Sequence, residues 1–265
     1  MGRRLGQHFL TRKSTLDRIA SAACGVSGER TPLVVEIGAG RGALTESLLE
    51  RAEQVVAIEV DPVLVHYLRQ KFRDALEAGR LTLVESDILK TDLGAWGPAV
   101  VAGNLPYYIT SPILERLFAA SASWKLAVIL VQAEVAGRIV AEPGCRDYGY
   151  LSVMVQVQAH AERLFEVPRA AFRPPPKVDS AVVLLEPRGA ASDVGIDDLT
   201  SFLKFTGNCF RYKRKTLRNN LAGLYERSAI EPLVGPRDRA EQMGIAQLAG
   251  LFRALTMRPA VVYPQ

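Results

Sequence analysis

Along the first two thirds of the chain, short β-branched and aliphatic runs alternate with stretches whose apolar residues recur at helical spacing. Five of the runs predict buried strands, and they cover residues 33–37, 54–60, 81–86, 99–104 and 125–131. Each is followed by a predicted helix or a tight turn, which is the pattern of βαβ units around a parallel sheet. Two later runs, at residues 151–160 and 178–186, are separated by a proline-rich loop, so we expect them to pair antiparallel at one edge. The pattern therefore predicts an α/β fold with a seven-stranded, mostly parallel sheet and one antiparallel edge strand.

The pattern changes after the last predicted strand. Residues 186–195 are rich in Gly, Ala, Pro and Ser and carry no periodic apolar signal, which is typical of a linker. Beyond them, helical spacing without strand-like alternation returns in the stretches 196–210, 216–228 and 246–256. We therefore expect two domains, a larger one over residues 1–187 and a small helical one over residues 188–265.

The net charge of +5 is unevenly distributed along the chain. Residues 1–187 hold 21 Lys and Arg against 21 Asp and Glu, whereas residues 188–265 hold 12 against 7. Six of the C-terminal cations fall within 15 residues that contain no acid, namely Lys204, Arg211, Lys213, Arg214, Lys215 and Arg218. This excess indicates that the helical domain contacts a polyanion, and the alternative is an ordinary solvated helix face.

Several classes of protein are excluded by what the sequence lacks. No apolar run approaches the roughly 18 to 20 residues that a membrane span needs, and the N-terminus carries no signal for export or lipidation, so we expect a soluble, cytoplasmic protein. The three cysteines, Cys24, Cys145 and Cys209, are odd in number and far apart, which fits neither a disulfide framework nor a metal site. The three histidines are equally scattered, and no metal is expected.

The first predicted strand runs into a turn with Gly38, Gly40 and Gly42, which lets a ligand approach the backbone closely. The spacing is neither that of dinucleotide-binding enzymes nor that of a P-loop. Glu59 ends the second strand at the position where such folds bind ribose hydroxyls, and Asp87 ends the third. The turn and the carboxylates could also be purely structural, as turn and helix caps.

Capping accounts for a different acid near Glu59. Asp61 precedes Pro62 and is therefore the better helix N-cap, which leaves Glu59 for a ligand. A glycine turn and two carboxylates without a phosphate cradle favour a ligand that contains adenosine but no phosphate. In this the chain resembles the Rossmann-like methyltransferases that bind S-adenosylmethionine, and the resemblance implies a methyl transfer.

The sequence GNLPYYIT at residues 103–110 places an amide, an X-Pro bond and two tyrosines together without a nucleophile. This set suits methylation of an exocyclic adenine amine, because two acceptors on its N–H groups would direct the nitrogen lone pair at a methyl donor. The side-chain oxygen of Asn104 is one predicted acceptor, and the carbonyl of Leu105, held extended before Pro106, is the other. Tyr107 is predicted to stack on the target base. The alternative is an ordinary strand-ending turn with buried tyrosines.

The segment AFRPPPKVDSAVV at residues 171–183 contains three successive prolines, which stiffen the backbone before a predicted strand. We expect this segment to hold Phe172 against the face of the adenine opposite Tyr107. The alternatives are a core phenylalanine and a proline-rich ligand for another protein.

With these residues in view, the chain resembles the ribosomal RNA adenine dimethyltransferases, which are Rossmann-like methyltransferases. The resemblance rests on LGQHFL, EIGAGRG, IEVD, SDIL, GNLPY, QAEVAGRI, YGYLSV and FRPPPKVDSAV, and so covers nearly the whole chain. It implies S-adenosylmethionine as cofactor, bound by His8, Leu10, Gly38, Gly40, Glu59, Asp87 and Asn104. His8 stands where many members have Asn.

The resemblance also implies a function, namely methylation at N6 of two adjacent adenosines near the 3′ end of the small-subunit ribosomal RNA. The expected partner is this RNA in the pre-30S particle, contacted by the six C-terminal cations, and the expected state is a monomer. One alternative is a methyltransferase of the large-subunit RNA that confers antibiotic resistance, but that family typically has Ile at the position of Leu105. The other is a non-catalytic assembly factor, which the intact site residues disfavour.

Overall fold

The computed structural model describes residues 8–25, 29–188 and 190–256. The chain folds into two compact units. The first contains the chain up to residue 136 together with residues 160–187, and the second contains residues 137–159 and the chain from residue 188 onward. The predicted boundary at 187/188 coincides with the last point at which the chain passes from the first unit to the second, which we call the helical unit. The prediction missed that residues 137–159 also belong to the helical unit. Both predicted domains also include terminal residues that lie outside the described ranges.

The main sheet has seven strands, and a separate ribbon pairs two short ones. In chain order the strands are β1 (Phe9–Leu10), β2 (Thr31–Ile37), β3 (Ala52–Glu59), β4 (Leu81–Glu85), β5 (Ala99–Asn104), β6 (Trp124–Gln132), β7 (Ala159–Val167), β8 (Phe172–Arg173) and β9 (Ser180–Pro187). The order across the main sheet is β4-β3-β2-β5-β6-β9-β7, and β1 pairs with β8. The predicted seven-stranded, mostly parallel α/β sheet is therefore confirmed.

The antiparallel strand does not lie at the edge of the sheet. Strand β9 runs antiparallel to β6, with Gln132 opposite Ser180, and it lies between β6 and β7. The central strands β2, β3, β5 and β6 are parallel to their neighbours among these four. Their near-continuous burial is typical of parallel strands covered on both faces.

Helices connect the strands of the first unit. They are α1 (Lys13–Cys24), α2 (Ala43–Leu49), α3 (Pro62–Lys71), α4 (Arg73–Glu77) and α5 (Thr110–Ala119). Helix α1 buries Leu16, Ile19 and Ala20 and packs against α2, β5 and β6. Asp61 caps α3 as predicted, because its carboxylate accepts a hydrogen bond of 2.9 Å from the Val63 N–H and Pro62 occupies the first turn.

The helical unit contains α7 (Tyr150–Gln156), α8 (Ala190–Asp193), α9 (Leu199–Cys209), α10 (Leu217–Leu221), α11 (Arg227–Ile230) and α12 (Ile245–Thr256), and the unit boundary falls within α6 (Ala133–Ile139). The helical unit has a separate hydrophobic core, in which Tyr148 and Val153 pack among apolar side chains of α9, α10 and α12. Tyr148 also donates a hydrogen bond of 3.0 Å to the Met243 carbonyl. The predicted C-terminal helices are confirmed.

The predicted strand at residues 151–160 was wrong for most of its length. Residues 150–156 are helical in α7, and the strand begins only at Ala159. Val153 and Val157, four residues apart, both face the core of the helical unit, so helical spacing prevails there.

The helices of the described part of the chain include none with the length and apolar character that a membrane span requires.

Candidate active site

A cavity of about 560 Å³ opens at the carboxyl ends of β2, β3, β4 and β5, entirely within the first unit. Ligands bind at this edge of open α/β sheets, and the volume falls in the range of roughly 300 to 1,000 Å³ typical of small-molecule sites. Its lining is His8, Phe9, Ile37, Gly38, Gly40, Ile58, Glu59, Val60, Ser86, Asp87, Ile88, Leu89, Asn104, Leu105, Pro106, Tyr107, Tyr108 and Ile109. Most of the predicted site residues therefore lie together around one cavity.

Gly38 and Gly40 of the glycine turn line this cavity. Gly38, Gly40 and Gly42 all have positive φ, at 75°, 59° and 73°. The backbone N–H groups of Gly38 and Ala39 donate to the Ile58 carbonyl at 2.9 and 3.1 Å, which ties the turn to the end of β3. These amides are occupied by protein, so the turn provides a close backbone surface and not a phosphate cradle.

The predicted role of Glu59 as a free carboxylate needs correction. Oε2 accepts from the Gly40 N–H at 2.8 Å, and Oε1 accepts from the N–H groups of Val60 and Asp61 at 2.9 and 3.0 Å. The side chain is buried, so the carboxylate first of all holds the glycine turn against β3. A carboxylate oxygen accepts about two hydrogen bonds, so Oε2 keeps one acceptor position on the cavity side.

Asp87 lies on the same side of the cavity, after β4. Its Oδ1 accepts from the Leu89 N–H at 3.0 Å, which fixes the turn that follows the strand. Among the described residues no hydrogen bond reaches Oδ2. Ile58, Ile88 and Leu89 line the cavity nearby. Two carboxylates beside an apolar slot suit the hydroxyl, amine and ring groups of an adenosine.

The predicted acceptor Asn104 ends β5 and is already oriented. Its Nδ2 donates to the His8 carbonyl at 3.2 Å. Since the amide nitrogen is bound there, Oδ1 faces away from His8, and within the described residues it accepts no hydrogen bond. The Leu105 N–H is bound to the Leu130 carbonyl at 3.0 Å, and no described group donates to the Leu105 carbonyl. Two acceptors without a partner among the described residues therefore belong to consecutive residues at the end of the strand.

The N-terminal segment closes one side of the cavity. β1 pairs with β8, with Phe9 opposite Arg173 and Leu10 opposite Phe172, and His8 Nδ1 lies 2.9 Å from the Pro174 carbonyl oxygen. His8 thus acts on Asn104 through its backbone carbonyl, while its side chain is bound elsewhere. Residues 5–7 of the LGQHFL motif lie outside the described residues.

Leu10 is almost fully buried and lines a neighbouring cavity of about 110 Å³ rather than the larger one. This small cavity shares Phe9, Gly38, Gly40 and Asn104 with the larger cavity. Leu10 could therefore contact a cofactor only through the small cavity.

Tyr107 follows in a 3-10 turn, Tyr107–Ile109, and its hydroxyl lies 2.7 Å from Ser180 Oγ at the start of β9. Burial raises the pKa of the Tyr107 phenol, and the hydrogen bond with Ser180 opposes this shift. The Tyr107 ring is stacked with that of His8 at a centroid distance of 6.1 Å and an interplanar angle of 25°. Tyr107 lines the cavity as predicted, and it is held in place at both its hydroxyl and its ring.

The prediction for Phe172 is contradicted. Its ring is fully buried in the core of the first unit, packed with residues such as Leu10 and Val182, and it does not line the large cavity. The physical reason is the β1–β8 pairing, which directs this side chain of the proline-rich segment into the sheet core. In this conformation Phe172 positions the N-terminal strand and offers no face to a base.

The sequence-based predictions missed Tyr108 and Glu36. Tyr108 lines the cavity mouth with 64% of its surface exposed, and the adjacent aromatic pair was the available signal for it. Glu36 is buried beneath the glycine turn, where Thr45 Oγ1 donates to its Oε2 at 2.6 Å. Burial, with Glu59 nearby, raises the pKa of Glu36 to about 7. Its position inside an apolar strand gave no sign of this role.

The six predicted RNA-binding cations lie in the helical unit, and they are not equivalent. Arg218 donates to the carbonyls of Val234 and Glu231 at 2.7 and 3.1 Å, and Lys213 donates to the Arg146 carbonyl at 2.5 Å. Both are therefore at least partly structural, which the sequence did not reveal. The remaining cations of the set are exposed, and they are Lys204, Arg211, Arg214 and Lys215.

Among the described residues, no group of three or more His, Cys, Asp and Glu side chains is placed to hold a metal ion. The sheet order and the cavity of carboxylates, apolar side chains and strand-end acceptors are those expected of a methyltransferase that uses S-adenosylmethionine. The residues fit that cofactor, because a nucleoside can lie between Glu59 and Asp87 without a phosphate site.

Comparison with known proteins agrees with this class. The family model described as Ribosomal RNA adenine dimethylase matches residues 2–256, so the chain belongs to this family. A protein named Ribosomal RNA small subunit methyltransferase A from Acidobacterium capsulatum is 43% identical, over 96% of this chain and 91% of the relative. The protein of the same name from Bordetella pertussis is 40% identical, over 96% of this chain and 93% of the relative. The chain is therefore a ribosomal RNA adenine methyltransferase that uses S-adenosylmethionine.

Two solved structures share the fold over nearly the full length. A dimethyladenosine transferase from Plasmodium falciparum has a TM-score of 0.73 and 26% identity, covering 92% of this chain and 96% of that chain. The 23S rRNA methyltransferase ErmE has a TM-score of 0.68 and 28% identity, covering 94% of this chain and 99% of that chain. Identity to small-subunit methyltransferases is higher, so the large-subunit alternative is not favoured.

Proposed function

We propose that the chain methylates two adjacent adenosines near the 3′ end of the small-subunit RNA, twice each, while acting as a monomer on the pre-30S particle. The observation that supports this most directly is the state of the strand end at residues 104–105. Asn104 Nδ2 is bound to the His8 carbonyl, and the Leu105 N–H is bound to the Leu130 carbonyl. The remaining polar atoms of this corner, Asn104 Oδ1 and the Leu105 oxygen, can then accept from one NH₂ group.

This corner gives a mechanism that needs no general base. The lone pair of an adenine amine is delocalised into the ring, and two acceptors on its N–H groups localise the lone pair on nitrogen. Asn104 does not have to reorganise, because His8 already fixes its amide. The excess proton leaves to water after the transfer, since methylation makes the amine strongly acidic.

The cofactor residues are proposed by position. Glu59 Oε2 and Asp87 Oδ2 are the acceptors for hydroxyl and amine groups of the adenosine part, beside Ile58 and Ile88. The Gly38–Gly40 backbone and the His8–Leu10 segment border the methionine end. When bound, S-adenosylmethionine would supply the methyl group from its positively charged sulfur, and the sulfur would remain as a neutral thioether once the C–S bond is broken.

Tyr107 is proposed to stack on the target base, in a position fixed by Ser180. A base must leave its own stack to reach the cavity, which costs a few kcal/mol, and stacking on an aromatic ring returns about 1 to 3 kcal/mol. Since Phe172 is buried, the exposed ring of Tyr108 is the better candidate for a second aromatic contact at the mouth.

Replacement of Asn104 tests the proposal. We expect Asn104→Ala to lower methyl incorporation into unmodified small subunits by about 100-fold or more, as loss of a preorganised polar contact does elsewhere. Binding of the subunit should be retained, because the exposed cations of the helical unit, which we propose contact RNA, are unchanged. Incorporation is measured with labelled methyl donor, followed by nucleoside analysis and mapping of the modified positions.

Two controls sharpen this test. Asn104→Asp keeps an acceptor but loses the N–H group that binds the His8 carbonyl, so it should also be impaired. Gln54→Ala removes an exposed amide from β3, outside the cavity lining, and should leave methyl transfer unchanged. Full activity of Asn104→Ala would contradict the proposal, and so would a parent protein that methylates purified large-subunit RNA but not small subunits.

A further inference from the structure

An exposed aromatic residue lies in the middle of the basic segment of the helical unit. Residues 211–215, here called the Tyr212 loop, connect α9 to α10, and every one of them is exposed. Tyr212 leaves 55% of its surface exposed. A single exposed ring is common on protein surfaces, so what points to a binding role is the setting of this one among cations, on a fixed backbone.

The Tyr212 loop has a fixed backbone, and a buried side chain holds it. Asn220 Oδ1 accepts from the Tyr212 N–H at 3.2 Å, and its Nδ2 donates to the carbonyls of Cys209 and Tyr212 at 2.8 and 3.3 Å. The Lys215 N–H also donates to the Tyr212 carbonyl, at 2.9 Å. The exposed ring is therefore presented from a hydrogen-bonded platform rather than from a free loop.

The charges around the ring identify its partner. The Arg211 guanidinium lies 5.3 Å from the centre of the Tyr212 ring, and Lys213 is held by the Arg146 carbonyl. No acid occurs between Lys204 and Arg218 in the sequence. An apolar protein partner would have to desolvate these cations, whereas a nucleotide supplies both a phosphate for the cations and a flat face for the ring.

We propose that Tyr212 stacks on an unpaired base of the RNA while the neighbouring cations contact its phosphates. This inference rests on the proposed function, since it assumes that the helical unit binds RNA. It adds a contact that depends on an exposed base, apart from the reacting adenosine. The helical unit thereby selects RNA with an unstacked nucleotide and not only negative charge.

The test separates stacking from charge. In the full-length protein, Tyr212→Ala should weaken binding of a short single-stranded RNA and of unmodified small subunits by at least about 5-fold, the lower end of what one stacked base contributes. The slope of log K against log salt should stay unchanged, because no cation is removed. Binding of a blunt RNA duplex of the same length should be unaffected.

Matched variants keep the result interpretable. Tyr212→Phe retains the ring and should bind like the parent, whereas Tyr212→Leu keeps an apolar side chain without a flat face and should behave like Tyr212→Ala. Parental affinity of Tyr212→Ala, equal losses on duplex and single strand, or a flattened salt slope would overturn the inference. If Arg214→Ala with Lys215→Ala also leaves RNA binding and its salt slope unchanged, the RNA-binding role of the helical unit fails as well, which is a separate outcome.

Discussion

The protonation of one buried side chain, Glu36, makes the stability of the protein depend on pH. Its carboxyl group is almost completely shielded from solvent and accepts a hydrogen bond from Thr45. Desolvation disfavours the charged form, and the neighbouring Glu59 adds to this effect, so the pKa rises from 4.5 to about 7. The folded protein therefore holds this proton at pH values where the unfolded chain has already released it.

This difference predicts a pH-dependent stability. The free energy of unfolding should fall as the pH rises from about 4.5 to about 7, because the folded state binds more protons in that window. Glu36→Gln keeps an acceptor for Thr45 and removes the charge. It should gain stability over the parent by up to about 3 kcal/mol above pH 7, with little gain near pH 4. Urea unfolding of both proteins at several pH values measures this difference, and a gain that does not vary with pH would rule out the assignment.

Single residues were predictable from sequence where local chemistry decides their role. Asp61 caps its helix because a carboxylate before proline suits an N-terminus, and Asn104 reaches the cavity because it ends a strand. The direction of Phe172 depends on the pairing of Phe172 with Leu10, which are far apart in sequence. The hydrogen bond between Glu59 and the Gly40 N–H, and those that Lys213 and Arg218 donate to backbone carbonyls, likewise arise from tertiary contacts.

At the scale of elements, the glycine turn has to pass close to α3 before α2 begins. Gly42 has a φ of +73°, and a Cβ atom there would overlap a ring carbon of Phe72 and lie 2.7 Å from Leu68 Cδ2. Both the backbone conformation and the space therefore require glycine.

This geometry predicts a difference between two Gly→Ala variants. Gly79 has a similar φ of +69°, but a Cβ atom added there would meet no other atom within 4 Å, so Gly79→Ala incurs backbone strain alone. Gly42→Ala adds overpacking and should lower the free energy of unfolding by about 1 to 3 kcal/mol more than Gly79→Ala. Thermal or urea denaturation checks this, and equal losses for the two variants would show that Phe72 and Leu68 move aside freely.

The elements also show where periodicity fails as a guide. In the segment LSVMVQV at residues 151–157, alternate valines fit a strand and the pair Val153/Val157 fits a helix. The helix forms because both valines pack in the core of the helical unit, and the sequence of the segment contains no sign of that partner. The five strands that precede it have no such ambiguity, and all five were predicted to within three residues at each end.

At the scale of the whole molecule, the charge asymmetry predicts a graded response to salt. Arg211→Ala with Lys215→Ala should make the slope of log K against log salt shallower by about 1.5 for RNA binding, since two phosphate contacts are lost. Arg218→Ala is the control, because its guanidinium binds the carbonyls of Val234 and Glu231. It should lower the melting temperature and leave the slope unchanged. A steep slope that survives in the double variant would place the phosphate contacts elsewhere on the protein.

The division of the chain was only half visible in the sequence. The composition change near residue 187 marks the last crossing, whereas residues 137–159 enter the helical unit without any linker-like stretch before them. A composition change reveals a flexible linker, but here the chain passes from the first unit to the helical unit inside a continuous helix, α6. This boundary therefore leaves no sign in the sequence.

The helical unit is built from two pieces of chain, residues 137–159 and the chain from residue 188 onward, which are separated in the sequence by residues 160–187 of the first unit. During synthesis, its first piece emerges before the sheet is complete and must wait for α9 to α12 to cover Tyr148 and Val153. A single crossover therefore separates the two pieces, and a chimera that exchanges the helical unit with that of a relative has to carry residues 137–159 along with the C-terminal helices.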